Sequence, residues 1–262
     1  MDGATSDPHF DVSGKSIVLA GACGGLGRAM ARCLAARGAR LTLADRDATA
    51  LPGLAAELAA ELGGELGGGA LHHQVDVTDE TATHGVVDAA CQAHGGVDAL
   101  INATGAFAVG PAEDLSVEAF RNTLDVNVTG ALLLSRAVAR RMGPEGGAIL
   151  HIASVSSFVA NPNYAAYASS KAAISHLIRV LAREWAPRNI RVNALGPAMT
   201  ETPLTAPHLA DPAFQDQALA VIPLGRFGQP SDLLAPMLML LGPGGAFITG
   251  QTLYVDGGRT LV

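Results

Sequence analysis

The sequence predicts a single α/β domain in which a doubly wound parallel sheet of seven strands is flanked by helices on both faces. Short apolar segments alternate with longer segments rich in Ala and Leu, and parallel strands need helical crossovers of this kind. Most of the short segments are hydrophobic almost throughout, as expected of strands covered on both faces. The 262 residues, 49% of them hydrophobic, can form one large core.

The predicted strands are short, and the predicted helices lie between them. In chain order the predicted strands are residues 16–20, 40–44, 71–77, 97–103, 148–154, 190–195 and 252–256. Segments 28–38, 80–95 and 116–143 have the length and composition of helices. We expect residues 1–11 to be a flexible N-terminus, the glycine-rich tract 63–69 to be a surface loop, and residues 199–223 to be a mobile lid over a substrate.

A glycine motif follows the first predicted strand. Gly21, Gly25 and Gly27 form a G-x-x-x-G-x-G pattern that opens a helix, where backbone amides can approach a pyrophosphate. Asp45 closes the second strand 18 residues after Gly27, and a carboxylate there accepts ribose hydroxyls and repels a 2′-phosphate. The glycine motif together with Asp45 predicts NAD rather than NADP, although Arg46 leaves NADP as an alternative. The structural alternative is a turn that only packs a helix on the sheet.

A tyrosine and a lysine are four residues apart on a predicted helix. Lys15 and Lys171 are the only lysines of the chain, and Tyr167 is the tyrosine that shares a helix face with Lys171. At an effective dielectric of ~20, an ammonium ~5 Å away stabilises a tyrosinate by about 3 kcal/mol, or about two pKa units. The pair therefore predicts a tyrosine acid/base, with a chance pairing as the alternative.

Composition argues against several classes of partner. The net charge of −7 disfavours nucleic acid and anionic membranes, which require a basic patch. The three cysteines and eight histidines show no spacing typical of a metal site. The first residues are polar and acidic, unlike a signal peptide, and no apolar run has the length of a membrane span. We expect a cytoplasmic protein with no metal.

From Val12 to the C-terminus the motifs resemble those of the short-chain dehydrogenase/reductase family, which implies a Rossmann fold and an NAD(P)-dependent enzyme acting on CH–OH groups. The glycine loop is similar to that family's TGxxxGxG, the segment NATG at 102–105 to its NNAG, and YASSK at 167–171 to its YxxxK. Ser154 precedes Tyr167 by 13 residues, the usual separation for the family's active-site serine. The segments DVNVTG, IRVNALGPAMTETP and ITGQTLYVDGG also match family motifs.

The resemblance also implies roles for individual residues. Ser154 orients the substrate oxygen, Lys171 holds the nicotinamide ribose, and Asn127 holds a water that links Lys171 to solvent. The implied catalytic residues are Asn127, Ser154, Tyr167 and Lys171. The implied cofactor-binding residues are Gly21, Gly25, Leu26, Gly27, Asp45, Asp76, Val77, Asn102, Tyr167, Lys171, Pro197, Thr200 and Thr202.

Some of these residues have structural alternatives. Asp76, predicted to end the third strand and to meet the adenine, is otherwise a helix N-cap. Ser154 is otherwise a turn residue and Asn127 a residue that bends its helix. For His151, a position in the core or at the rim of the site is favoured over contact with the substrate. For Tyr164, a place in the pocket wall and a purely structural place are equally favoured.

The chain departs from the family pattern at four positions. We expect Ala20, Ala103 and Thr104 to form a repacked contact between the first and fourth strands. Ala198 replaces a glycine and is expected to stiffen the entry to the lid.

The lid contains no Lys or Arg, which favours a neutral or weakly polar secondary alcohol or ketone as the substrate. The leading prediction is an NAD-dependent alcohol dehydrogenase or ketone reductase that forms a homotetramer. The alternatives are an NADPH-dependent 3-oxoacyl-(acyl-carrier-protein) reductase and a non-catalytic protein that senses a dinucleotide.

Overall fold

Seven parallel strands form one sheet in the order β3-β2-β1-β4-β5-β6-β7 in the computed structural model, which describes residues 7–61 and 70–262. The strands β1 to β7 are Ser16–Ala20, Arg40–Asp45, Leu71–Gln74, Ala99–Asn102, Gly147–Ile152, Ile190–Pro197 and Thr252–Val255. Strand order reverses between β1 and β4, and ligands of open α/β sheets bind in the crevice at the carboxyl ends of such strands. The predicted fold class is confirmed.

Helices cover both faces of the sheet. The helices α1 to α9 of the described residues are Gly25–Ala35, Ala50–Glu61, Glu80–His94, Val117–Leu124, Gly130–Arg141, Ala165–Trp185, Ala206–Leu209, Pro212–Leu219 and Leu234–Leu241. The helices α1, α2 and α9 pack on one face, and α3, α5 and α6 pack on the other. Within the described ranges, no helix is both long enough and apolar enough to span a bilayer.

The strands are hydrophobic throughout because both of their faces are buried. In β1, Ile17 and Leu19 pack in the core under α1 and α2, whereas Val18 and Ala20 pack in the core under α3 and α5. Successive side chains of a strand point to opposite faces, so this strand needs apolar residues at every position.

Several predicted strand ends differ from the observed ones. The third strand was predicted to run to residue 77, but β3 ends at Gln74, paired with Asp45, the last residue of its neighbour β2. The fourth strand is Ala99–Asn102 rather than 97–103, and the fifth is Gly147–Ile152 rather than 148–154. The sixth is longer than predicted because β7 pairs with it as far as Pro197.

The other predicted segments are described only in part. Residues 199–223 contain the short helices α7 and α8, and we keep the name lid for this segment. The predicted loop 63–69 and the first six residues of the predicted flexible N-terminus lie outside the described residues. Residues Pro8–Phe10 form a single 3-10 turn beside Gly242 and Gly244.

Candidate active site

The glycine loop lies at the carboxyl end of β1, where close backbone approach excludes larger side chains. Gly21 has φ +77°, and a Cβ there would lie 2.6 Å from the carbonyl carbon of Ala103. A Cβ on Gly27 would overlap the carbonyl oxygen of Gly21. The expected contact between the first and fourth strands at Ala20, Ala103 and Thr104 is present: the Ala103 N–H donates to the Ala20 carbonyl at 2.9 Å, and Gly21 lies against the backbone of Ala103 and Thr104. The loop presents bare backbone at the start of α1, which fits the approach of a pyrophosphate.

Asp45 lies beside this loop. One carboxylate oxygen accepts the backbone N–H of Cys23 at 2.9 Å, and the other accepts that of Asp47 at 3.1 Å. These contacts hold an anionic group next to the glycine loop, where it can accept hydrogen bonds from a ribose. The donor set thus fits a dinucleotide with free ribose hydroxyls.

Asp76 forms a turn just beyond β3 rather than ending that strand. Its carboxylate accepts the N–H and the hydroxyl of Thr78 at 2.9 and 2.7 Å. These hydrogen bonds, and then the nearby charge of Arg46, lower the pKa of Asp76. The N-cap of α3 is Asp79, which accepts from the N–H groups of Thr81 and Ala82, so the helix N-cap alternative for Asp76 is wrong.

The remaining predicted cofactor residues lie at the same edge of the sheet. Leu26 packs against the core beneath α1, and Val77 is buried, within 2.7 Å of where a Cβ on Gly130 would lie. Pro197 ends β6. Thr200 donates its hydroxyl to the Ala198 carbonyl at 2.9 Å.

The lid begins over the glycine loop. A Cβ on Gly25 would lie 2.9 Å from Cβ of Thr202 and 2.8 Å from Cδ of Pro203. The Thr202 N–H donates to the hydroxyl of Thr205 at 3.0 Å, and that hydroxyl donates to the Thr200 carbonyl at 2.6 Å. These bonds fix the conformation of the start of the lid, which lies against Gly25 at the N-terminus of α1.

A buried polar chain lies beneath the crevice. Asn102 accepts the N–H and hydroxyl of Thr104, and its amide nitrogen faces Nδ1 of His151 at 3.4 Å. Nε2 of His151 lies 2.9 Å from Oγ of Ser135, which donates to the Ala131 carbonyl. A hydroxyl has one hydrogen, so Ser135 accepts the Nε2–H of His151, and Nδ1 accepts from Asn102. His151 is therefore a neutral core residue that is only 1% exposed.

The burial of His151 predicts a loss of stability in acid. Burial, and then the charge of Lys171, lower the pKa of His151 from 6.5 to about 3. The unfolded chain therefore binds the proton first, so stability falls as pH drops below 6.5 towards 3. At pH 5 the loss at this site is about 2 kcal/mol in the free energy of unfolding. Urea denaturation between pH 7 and pH 5 measures it.

The matched variant is His151→Asn, which keeps a polar side chain that does not titrate. We expect its free energy of unfolding to fall less than that of the wild type over this pH range. Parallel losses in the two proteins would contradict the assignment of the acid sensitivity to His151. His72→Asn, on the exposed edge strand β3, should retain the wild-type loss.

Asn127 lies in a π-helical turn, Asp125–Thr129, between α4 and α5. Its carboxamide accepts the Ala106 N–H at 2.7 Å and donates to the Ala106 carbonyl at 3.0 Å and to Oγ of Ser170 at 2.8 Å. The irregular turn, a feature frequent at functional sites, places this side chain between the loop after β4 and the helix α6. Asn127 thus contacts Ser170, the residue that precedes Lys171 on α6.

Ser154, Tyr167 and Lys171 meet at the carboxyl end of β5. Nζ of Lys171 donates to the Ile152 carbonyl at 2.7 Å and lies 5.6 Å from the ring centroid of Tyr167. The Ser154 hydroxyl lies beside the phenol and lowers the pKa of Tyr167 through a hydrogen bond. Ser154 also accepts the N–H of Ser156 at 3.1 Å, so the turn role and a position at the site are compatible.

The pKa of Tyr167 in the free protein differs from the expected one. Burial raises it to about 12, against the smaller effect of Ser154, and burial lowers the pKa of Lys171 to about 8. The expected lowering of the Tyr167 pKa by about two units is therefore wrong for the free protein. The loss of hydration of the tyrosinate outweighs its attraction to the Lys171 ammonium, which lies over the ring and is hydrogen-bonded to the Ile152 carbonyl.

An aromatic cluster of Phe107, Tyr164, Tyr167, His208 and Phe214 surrounds the phenol. The ring of Phe107 is edge-on to Tyr167, with centroids 4.7 Å apart, and lies 5.6 Å from Tyr164 and 5.4 Å from His208 of the lid. No sequence motif indicated Phe107, His208 and Phe214, and only their positions after β4 and within the lid could have done so. Tyr164 is in the cluster, as expected of a pocket wall.

Comparisons with known proteins identify the family. Residues 21–260 match a family model described as Enoyl-(Acyl carrier protein) reductase. The chain is 35% identical over 257 residues to a D-threitol dehydrogenase from Mycolicibacterium smegmatis, covering 97% of this chain and 96% of that one.

Two solved structures extend the similarity to the fold. A short-chain type dehydrogenase/reductase from Mycobacterium marinum has a TM-score of 0.89 and 36% identity, covering 97% and 98% of the two chains. A putative NAD(P) dependent gluconate 5-dehydrogenase from Beutenbergia cavernae, with bound NADP, has the same TM-score and identity, covering 98% and 100%. The chain belongs to the short-chain dehydrogenase/reductase family and is an oxidoreductase that acts on CH–OH groups.

Proposed function

We propose that this protein is an NAD-dependent dehydrogenase that interconverts a secondary alcohol and a ketone, with Tyr167 as the acid/base. The observation that supports this most directly is the meeting of Ser154, Tyr167 and Lys171 beside the crevice formed by β1 and β4. These side chains come from β5 and α6, and the glycine loop and Asp45 lie at the same edge of the sheet.

The dinucleotide would be held by the glycine loop, by Asp45 and by the start of the lid at Thr202. When bound, it supplies the acceptor or donor of a hydride. Lys171 is close enough to Gly105 that a Cβ there would lie 3.7 Å from Nζ, so its ammonium faces the crevice and can bind ribose hydroxyls as well as influence Tyr167.

The protein groups would move the proton of the reaction. Ser154 donates a hydrogen bond to the substrate oxygen and orients it, and Tyr167 exchanges a proton with that oxygen. The ammonium of Lys171, with a pKa of about 8, can release and recover a proton near neutral pH. Asn127, through its contacts with Ala106 and Ser170, positions the segments on both sides of the route to solvent.

The preference for NAD rests on Asp45, and Asp45→Asn tests it. The amide keeps an acceptor for the Cys23 N–H but removes the negative charge that repels a 2′-phosphate. We expect the wild type to bind NADH more tightly than NADPH, and the ratio of the two dissociation constants to change about ten- to one-hundredfold towards NADPH in the variant. Fluorescence titration with each cofactor measures it.

The control for this comparison is Asp114→Asn, an exposed carboxylate on the segment between β4 and α4, which should leave the ratio unchanged. Tighter binding of NADPH than of NADH by the wild type would contradict the proposed cofactor. Arg46 would then be the residue to examine, since its charge acts on Asp76 at this edge of the sheet.

We also propose a cytoplasmic homotetramer. The exposed apolar side chains of Val180 on α6 and Leu253 on β7 support pairing of subunits through these elements. A monomer in sedimentation velocity experiments would contradict the assembly.

A further inference from the structure

The lid contacts the rest of the site through aromatic rings. His208 lies across Phe107 with an interplanar angle of 88°, and Phe214 lies 5.8 Å from His208. Phe107 in turn is at 89° to Tyr167. Edge-to-face pairs of this kind are favourable contacts between apolar surfaces. The space next to the Tyr167 phenol is therefore bounded by aromatic rings.

Few polar groups accompany these rings. Across residues 7–61 and 70–262, neither the Tyr164 hydroxyl nor the ring nitrogens of His208 have a hydrogen-bond partner, so each is available to a ligand. The lid carries Glu201, Asp211 and Asp216 and no Lys or Arg, which disfavours an anionic substrate. A mainly apolar surface with one or two polar groups that fix orientation is typical of sites for apolar small molecules.

We propose, on the basis of the proposed function, that the substrate is an uncharged secondary alcohol or ketone attached to a carbon ring, and that Phe107 and His208 determine this specificity. A carbon ring entering the cluster replaces contacts between protein rings with contacts of the same kind. A polyol brings several hydroxyls to the same surface, where most of them lose water without gaining a partner. The cluster therefore favours substrates that carry a carbon ring over polyols.

The two residues contribute differently. Phe107 is the ring next to the acid/base, so it contacts the part of the substrate closest to the reacting carbon. His208 is on α7 and offers an N–H at its ring edge as well as a ring face, so it binds a more distant polar group of the substrate. Removing either ring lowers kcat/KM for ring substrates, whereas only the N–H of His208 distinguishes substrates with a second polar group.

The experiment compares kcat/KM, with NAD in excess, for cyclohexanol and 1-phenylethanol against glycerol and threitol. We expect the ring alcohols to be preferred by about tenfold or more. Phe107→Ala should lower kcat/KM for the ring alcohols about ten- to one-hundredfold, mainly through KM, while changing that of the polyols little. Phe107→Leu, which keeps an apolar side chain, should recover part of the loss.

A second pair of variants tests the lid. His208→Phe keeps a ring and should retain the preference for ring alcohols, whereas His208→Ala should lower it. His72→Ala, at the opposite edge of the sheet, is the matched control. Thermal unfolding and NADH binding, measured on each variant, separate a loss of specificity from a loss of fold: every variant should remain folded at the assay temperature and bind NADH as the wild type does.

The outcomes distinguish the inference from the function on which it rests. If polyols are oxidised faster than ring alcohols, or if Phe107→Ala affects both classes equally, the inference is wrong and the proposed dehydrogenase function stands. If the protein binds NADH but oxidises no alcohol and reduces no ketone of either class, the proposed function fails and the inference fails with it.

Discussion

Tyr167→Phe is expected to lower kcat about 10²- to 10⁴-fold, the usual contribution of general acid/base catalysis, while cofactor binding and stability are kept. The variant loses only the phenolic oxygen. Its ring retains the edge-on contact with Phe107 and the position under Nζ of Lys171. Steady-state kinetics on an identified substrate, together with NADH titration and thermal unfolding, measure the three properties separately.

The control for this prediction is Tyr254→Phe. Tyr254 lies on β7 and its pKa is raised by burial as well, but it is outside the cluster around Tyr167. We expect this variant to have close to the wild-type rate. A rate for Tyr167→Phe that is also close to the wild type would refute the assignment of Tyr167 as the acid/base.

Lys171→Met is expected to lower kcat/KM about one-hundredfold or more, because it removes the group beside Tyr167 that can release and recover a proton near neutral pH. The substitution keeps the length and apolar stem of the side chain and removes the ammonium that faces the crevice. It also removes the donor to the ribose hydroxyls, so we expect weaker NADH binding. Kinetics and NADH titration measure the two losses.

The same variant is expected to be as stable as the wild type or more stable. Lys171 is 4% exposed, and burial lowers its pKa from 10.5 to about 8, which corresponds to a cost of about 3 kcal/mol while the ammonium is charged. Because the unfolded chain binds this proton more tightly, the cost is complete below pH 8 and disappears as pH rises towards 10.5. The lost bond to the Ile152 carbonyl offsets about 1 kcal/mol of the gain.

The difference in stability between wild type and Lys171→Met should therefore shrink between pH 8 and pH 10.5. Lys15→Met, at the amino end of β1, is the control and should show no such convergence. Unfolding of Lys171→Met at neutral pH would indicate that the lysine is structural, and a retained kcat/KM would remove it from the mechanism.

Local spacing predicted the parts of the site that lie within single segments. The four-residue interval between Tyr167 and Lys171 on α6, and the position of Asp45 at the end of β2, follow from the geometry of one helix and one strand. The glycine pattern was predictable for the same reason, since a strand must turn into a helix within a few residues. Gly21 and Gly27 are in contact because that turn is tight.

Contacts between distant segments were not predictable in this way. Phe107 meets His208 although about one hundred residues separate them, and no spacing rule relates a loop after β4 to a short helix of the lid. The chain of Asn102, His151 and Ser135 is similar: its members come from β4, β5 and α5, and each is hidden within an apolar run. The strand ends also depended on neighbouring strands. β3 ends at Gln74 because its partner, Asp45, is the last residue of β2.

By itself, the sequence determined the alternation of strands and helices, the glycine loop and the identities of the reactive side chains, because each depends on residues near one another in the chain. Only the tertiary structure decided the protonation of those side chains and the surface that surrounds them. Burial is a property of the packed molecule, and it raises the pKa of Tyr167 and lowers that of Lys171, which no local pattern encodes.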